Sequence, residues 1–200
     1  MRLRVASRPV RTPRDWARYT VRIAGWLLLA AVAGAASAQS DQPSEYEVKA
    51  AFLFNFTKFV EWPNGSFDGP LAPIVIGILG TDPFGDSLVN IVAGQKAQGR
   101  SIMIAKYRRD DDFRRCHVLF ISASERQHTA EILAGLQDSN VLTVSDVDGF
   151  AAAGGVLQFV MQNNRVRFLV NLEAANQNKL RVSAKLLALA QVVNHAEAAR

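Results

Sequence analysis

The chain predicts an α/β fold: one domain, with a mostly parallel sheet flanked by helices and a C-terminal antiparallel hairpin. Three observations carry that expectation. Ile74–Leu79 (IVIGIL) and Val118–Ser122 (VLFIS) are continuous apolar runs, the pattern of strands covered on both faces. These runs alternate with helical stretches through the middle of the chain. Leu157–Val170 then changes to strict alternation around Asn163-Asn164, the signature of a two-residue hairpin turn.

Taken in order, the first structured element is Tyr46 to Pro63, YEVKAAFLFNFTKFVEWP, the longest aromatic-rich run. It reads as one amphipathic helix stopped by Pro63. At about 100° per residue, Val48, Phe52, Phe56, Phe59 and Val60 share one side, and Glu47, Asn55, Lys58 and Glu61 the other. Phe54 falls inside the polar face and Trp62 at its edge. Lys49 points with the apolar set, near enough to the helix start to reach water. Two readings of Phe54 and Trp62 stand. Phe54 is a single stray exposed apolar residue on a core helix, or Phe54 and Trp62 face a partner together with the surrounding charges.

Asn64 to Pro70 is a loop by composition, and Ile74–Leu79 is the first strand. Gly80-Thr81-Asp82-Pro83-Phe84-Gly85 follows at its carboxyl end, and Asp86–Ala93 reads as a helix closed by Gly94. Ser101–Tyr107 is the next strand. RRDDDFRR (108–115) reads as a solvated loop or short helix, since three acids sit among four arginines. After the VLFIS strand, Ser124–Gln137 reads as a helix capped by Ser124, with Glu125 on its outer face. Val141–Val144 is a fourth strand. Residues 148–155 form a small-residue turn.

The hairpin register can be stated in advance. With Asn163-Asn164 as the turn, Met161 pairs with Val166, Phe159 with Phe168 and Leu157 with Val170, placing the apolar set on one face. Gln158, Gln162, Arg165 and Arg167 fall on the other, toward water. Ser183–Val193 reads as a closing helix with Leu186, Leu187, Ala190 and Val193 inward, and residues 195–200 as a fraying tail.

The 200-residue chain has a formal net charge of +5. Residues 1–38 hold seven of its 23 Lys and Arg and one of its 18 Asp and Glu, which leaves sixteen basic and seventeen acidic side chains and a net charge of −1. A near-neutral domain carries no electrostatic footprint for nucleic acid or an anionic membrane. Residues 1–38 read as a secretory signal peptide, with an arginine-rich start, an apolar stretch from Ile23 to Ala35 and an Ala36-Ser37-Ala38 cleavage site. The alternative is an uncleaved anchor. Residues 39–200 are then the exported domain, without membrane insertion after cleavage. Cys116 is the single cysteine, so no intramolecular disulfide forms. It reads as a buried thiol, with an exposed thiol linking two chains as the alternative.

No specific catalytic set emerges, so neither enzymatic activity nor a cofactor or metal is expected. His117 directly follows Cys116, which is not zinc-ligand spacing, and none of the common nucleophile, metal or phosphate-loop motifs occurs. For a small molecule, Gly80, Thr81, Asp82 and Gly85 are the candidates, because open α/β sheets bind ligands beyond the carboxyl ends of their strands. The plain alternative is a strand-to-helix turn that needs those residues for its geometry. Asp146, at another strand end, has no evident partner.

The opening helix resembles the YfiR-type family of periplasmic regulators. So do ILGTDPFG, CHVLFIS, VLTVSDVDGFAAAGGVLQFV, RVRFLVN and SAKLLALA, in this order and spacing. The resemblance implies a single periplasmic α/β domain, often a homodimer, that regulates and does not catalyse. It implies binding to the periplasmic domain of an inner-membrane diguanylate cyclase, holding it inactive and so lowering cyclic di-GMP and biofilm formation. The alternative is a ligand-sensing or accessory domain for another signalling or outer-membrane receptor system. Some members carry cysteine pairs; Cys116 matches one such position and has no partner here. A hydrolase with an unrecognised site is a third possibility that the residue inventory disfavours. For the partner surface, the candidates are Glu47, Phe54, Asn55, Lys58, Glu61 and Trp62, with Arg165, Arg167 and Asn171 on the hairpin as a second group.

Overall fold

Six consecutive apolar residues suit a strand covered on both faces, and Ile74–Leu79 is such a strand, buried at all six positions. The computed structural model describes residues 43–193. The signal-peptide reading of residues 1–38, both limits of the 39–200 domain and the tail after residue 194 lie outside the described residues. In chain order the elements are α1 (Glu45–Phe59), β1 (Val60–Glu61), β2 (Ile74–Leu79), α2 (Asp86–Val92), β3 (Lys96–Ala97), β4 (Arg100–Tyr107) and β5 (Val118–Ile121). They continue with α3 (Thr129–Gly135), β6 (Leu142–Ser145), β7 (Leu157–Gln162), β8 (Arg165–Asn171), α4 (Leu172–Gln177), β9 (Arg181–Val182), α5 (Ala184–Leu187) and β10 (Gln191–Val193).

The main sheet runs β10-β8-β7-β6-β5-β2-β4-β3. Its centre, from β4 across β2, β5 and β6 to β7, is parallel. The β7–β8 hairpin is antiparallel with the expected register, Leu157 opposite Val170, Phe159 opposite Phe168 and Met161 opposite Val166. Asn163 and Asn164 both adopt positive φ, 51° and 57°, as a mirror-image two-residue turn requires. One core packs α1 and α2 onto Ile76, Ile78, Val118, Phe120, Leu157, Phe159 and Phe168. Phe52 and Phe56 meet Phe159 and Phe168 with ring centroids 5.2–6.1 Å apart, a geometry worth about 0.5–1.5 kcal/mol per pair beyond burial. A second, smaller core on the other face sets Ile132, Leu133 and Leu136 against Val75, Leu79, Leu119 and Ile121.

Five expectations are corrected. The opening helix ends at Phe59, ahead of Pro63. Val60 turns extended, and Val60 and Glu61 pair with Val182 and Arg181, so a tertiary strand partner replaces the last helical turn. The closing helix shrinks to Ala184–Leu187, because Gln191–Val193 line up in parallel beside β8. The Ser124–Gln137 helix begins as a 3-10 segment, Ala123–His128, capped by the Ser122 hydroxyl. Gln158, expected toward water, is buried and accepts a hydrogen bond from the Ala151 amide at 3.0 Å, since the 148–155 turn folds over that end of the hairpin. Toward the tip, Met161, expected inward, is exposed because it extends past the core.

Candidate functional site

The family-like segment begins with a capped helix. The Ser44 hydroxyl accepts from the Glu47 amide at 3.3 Å and the Glu47 carboxylate accepts from the Ser44 amide at 2.6 Å, a reciprocal capping box. Glu47 is exposed, as expected, and its carboxylate is engaged locally. One turn on, Lys49 does not reach water. It is 3% exposed, and its ammonium lies 2.6 Å from Asp146 Oδ2, beside Glu45 and 4.4 Å from the Tyr46 ring centre. The Tyr46 hydroxyl donates to the same Asp146 oxygen at 3.0 Å. Burial pulls the Lys49 pKa down, but bonds to Asp146 and Glu45 and their charges outweigh it and the net shift is upward. Burial and then Asp146 raise Tyr46 as well. Lys49 is therefore held charged and engaged, and the cluster ties the start of α1 to the carboxyl edge of β6. A lysine on the apolar side of a helix and a lone aspartate at a strand end each needed a countercharge. That joint requirement is the signal that could have paired them.

The partner candidates separate in the structure. Phe54, expected on the polar face, is 8% exposed and belongs to the main core, because α1 is covered on a second side by α2. Lys58 lies over its ring at 3.9 Å. Asn55 is half-buried, while Lys58 and Glu61 are exposed. Trp62 is half-buried and turned inward. Its indole N–H donates to the His117 carbonyl at 3.2 Å, and its ring meets Phe67 and His117 edge-on. Asn171 is buried and serves as the N-cap of α4, accepting from the Ala174 amide at 3.0 Å and donating to the Ala151 carbonyl at 2.8 Å. Arg165 and Arg167 are exposed on the hairpin. They alternate with Phe168 and Val170, which face α1, and so project from the opposite face of the sheet. The structure thus does not bring the two groups of candidates together.

The Gly80–Gly85 loop is internally satisfied. Gly80 has φ +88°, and a Cβ there would overlap the Ser124 hydroxyl. That hydroxyl accepts from the Thr81 amide at 3.0 Å. Asp82 accepts from the Phe84 amide at 2.8 Å and pairs with Lys106 at 2.8 Å. The helix that follows has seven residues and opens with Asp86, so a negative charge already occupies its start. This is the geometry of a strand-to-helix turn.

Two further groups lie just before β5. Cys116 is buried, its thiol donates to the Phe113 carbonyl at 3.0 Å, and burial pushes its pKa up to about 12. His117 accepts at Nδ1 from the Val75 amide, 3.0 Å away, so Nε2 carries the proton and donates to the Ser66 carbonyl at 3.0 Å. Its pKa is lowered, chiefly by burial. Among the described residues, no group of three His, Cys, Asp or Glu is placed to hold a metal ion.

Residues 46–191 match the model of a family described as YfiR/HmsC-like. That span begins at Tyr46 of the buried cluster and takes in every strand of the sheet, ending within β10. No curated protein matches the chain.

Proposed function

The chain belongs to the YfiR/HmsC-like family, and from that premise we propose that it is a periplasmic regulatory protein. In this reading it binds the periplasmic domain of an inner-membrane diguanylate cyclase and holds the enzyme inactive, lowering cyclic di-GMP and biofilm formation. The family match across the whole sheet carries the proposal. The state of the reactive side chains supports a binding role over catalysis: Lys49 is locked in an ion pair, Cys116 is held protonated and both ring nitrogens of His117 are engaged. Repression across a membrane requires preferential binding to the inactive cyclase, because equal affinity for both states shifts nothing.

For the contact we propose the outward ridge of α1 and β1: Glu47, Asn55, Lys58 and Glu61. Lys58 is pre-positioned there on the Phe54 ring. Arg165 and Arg167 form a second patch on the opposite sheet face. A homodimer belongs to the same proposal, and sedimentation equilibrium tests it. The primary experiment uses the purified protein to capture partners from detergent-solubilised inner membranes. Recovery of a protein with a periplasmic domain and a cytoplasmic GGDEF domain, weakened about tenfold by Lys58→Glu, supports the reading. An effect of Arg165→Glu and Arg167→Glu without one from Lys58→Glu moves the contact to the hairpin. Recovery of a receptor or kinase in its place favours the accessory-domain alternative.

A further inference from the structure

The amino-terminal end of the parallel strands holds an open cleft of about 750 Å³, within the roughly 300–1,000 Å³ of small-molecule sites. It arises from the sequence of β2 and β4. Gly77 has no side chain, and the Tyr107 ring lies across it, close enough that a Cβ at Gly77 would sit 2.8 Å from Cε2. Val75 and Met103 are paired in register beside it. Together they make an apolar floor, and Met103 is 49% exposed.

The walls are polar and incompletely satisfied. Four buried side-chain atoms among the described residues lack a hydrogen-bond partner, and two of them, Ser66 Oγ and Asn140 Oδ1, belong to residues lining this cleft. His117 fixes one wall by accepting from Val75 and donating to the Ser66 carbonyl. Arg114 is exposed at the mouth and makes neither an ion pair nor a hydrogen bond among the described residues. Arg115 beside it engages Asp112 through Nε alone, at 3.1 Å. Asp68 is the one carboxylate in the lining. The mouth therefore has one guanidinium unpaired among the described residues, Arg114, and a second paired with Asp112, near the single lining acid Asp68, with an apolar floor behind them and two buried, unpartnered oxygens beneath the wall.

We propose that this cleft binds a small hydroxylated organic anion, with Arg114 holding the oxyanion, Met103 and Tyr107 packing on the carbon frame, and the Ser66 and Asn140 side chains rotating out of their buried positions to take its hydroxyls. A guanidinium fork matches carboxylate and phosphate equally, and both head groups fit the same chemistry. The inference does not depend on the cyclase reading, because binding is measured directly.

The test is calorimetric titration of the purified protein with citrate, glycerol 3-phosphate and inorganic phosphate, with Trp62 fluorescence as a second readout. Trp62 reports on the site because its indole N–H holds the His117 carbonyl behind the cleft. Saturable 1:1 binding of citrate identifies the carboxylate class, and of glycerol 3-phosphate the phosphate class. In either case Arg114→Gln and Met103→Glu should weaken binding at least tenfold, and Arg165→Gln should leave it unchanged. Both altered side chains are exposed, so circular dichroism should match the parent. No saturable binding of either organic anion overturns the proposal. So does an equal loss in Arg165→Gln, or inorganic phosphate binding as tightly and without dependence on Arg114.

Discussion

The two ends of the parallel sheet differ in how completely their polar groups are used. At the carboxyl end, Asp146 receives Lys49 and Tyr46, Asp82 receives Lys106, and the Ser124 hydroxyl fills the space at Gly80 and caps the Thr81 amide. His128 Nδ1, 3.8 Å from Glu125, is the one buried polar side-chain atom there without a hydrogen bond among the described residues. At the amino end, Ser66 and Asn140 keep unpartnered oxygens and Arg114 has no counterion among the described residues. Open α/β sheets ordinarily leave the carboxyl end for ligands. Here α1 lies over the sheet and sends Lys49 and Tyr46 to that end, so side chains of the same chain occupy the positions a ligand would take. Polar groups left unsatisfied in a folded protein are the ones with capacity to bind, which moves attention to the opposite edge.

The sharpest way to break the comparison is to open the carboxyl end. Asp146→Ala leaves Lys49 buried with only the half-exposed Glu45 beside it. Removing one partner of a buried pair costs about 3–5 kcal/mol, and the remaining Glu45 contact puts the expectation at the low end, about 3 kcal/mol by urea unfolding. The double variant Lys49→Met/Asp146→Leu should lose much less than the sum of the two single changes. If the losses add, the pair is not coupled and the carboxyl end is not locked by it.

A second test compares two glycines. Gly80 and Gly65 both have positive φ, 88° and 91°, but only Gly80 is crowded. Gly65→Ala should cost about 1 kcal/mol, the left-handed penalty alone. Gly80→Ala adds overlap with Ser124 and should cost about 2–3 kcal/mol. Equal values would mean that Ser124 moves aside freely and the carboxyl end has room after all.

How much of this was legible in the sequence follows from the range of the forces involved. The hairpin register was readable because turn chemistry and two-residue alternation are local and agree with each other. The burial of β2 was readable because a continuous apolar run has few alternatives. The end of α1 was not, because Val60 leaves the helix to pair with Val182, more than a hundred residues away. The fate of Val192-Val193 was likewise set by the free edge of β8. Phe54 was misplaced because a single helical wheel assumes one covered side, and α1 has two. In the candidate site, Glu47, Lys58 and Glu61 are exposed as their positions on the wheel indicated. Trp62 and Asn171, both polar-tipped, are instead consumed by hydrogen bonds to distant backbone, to His117 and Ala151.

Titration from pH 7.5 to pH 5 probes the amino end through His117. Folded His117 is neutral and accepts from the Val75 amide, and burial lowers its pKa below the unfolded value of about 6.5. In the window below that value the unfolded chain binds more protons, so stability falls as pH drops and levels off beneath the folded pKa. His117→Asn can keep an acceptor near Val75 without titrating. Its urea midpoint should fall less than the parent's between pH 7.5 and pH 5. Parallel profiles would show that His117 does not hold the wall of the cleft in its neutral form.

The smallest effects distinguish the two ends most cleanly. Ser124→Ala removes a hydroxyl that caps the Thr81 amide, and an intramolecular hydrogen bond of this kind contributes about 1 kcal/mol. Ser66→Ala removes a buried hydroxyl that has no partner, so desolvation of that group is relieved. Stability should stay unchanged or rise by a few tenths of a kcal/mol, while affinity for citrate or glycerol 3-phosphate falls. A substitution that stabilises the fold and weakens binding marks a position kept for a ligand, since folding alone gives no reason for a serine there. If Ser66→Ala destabilises by as much as Ser124→Ala, its hydroxyl has a structural partner and the amino end is as closed as the other.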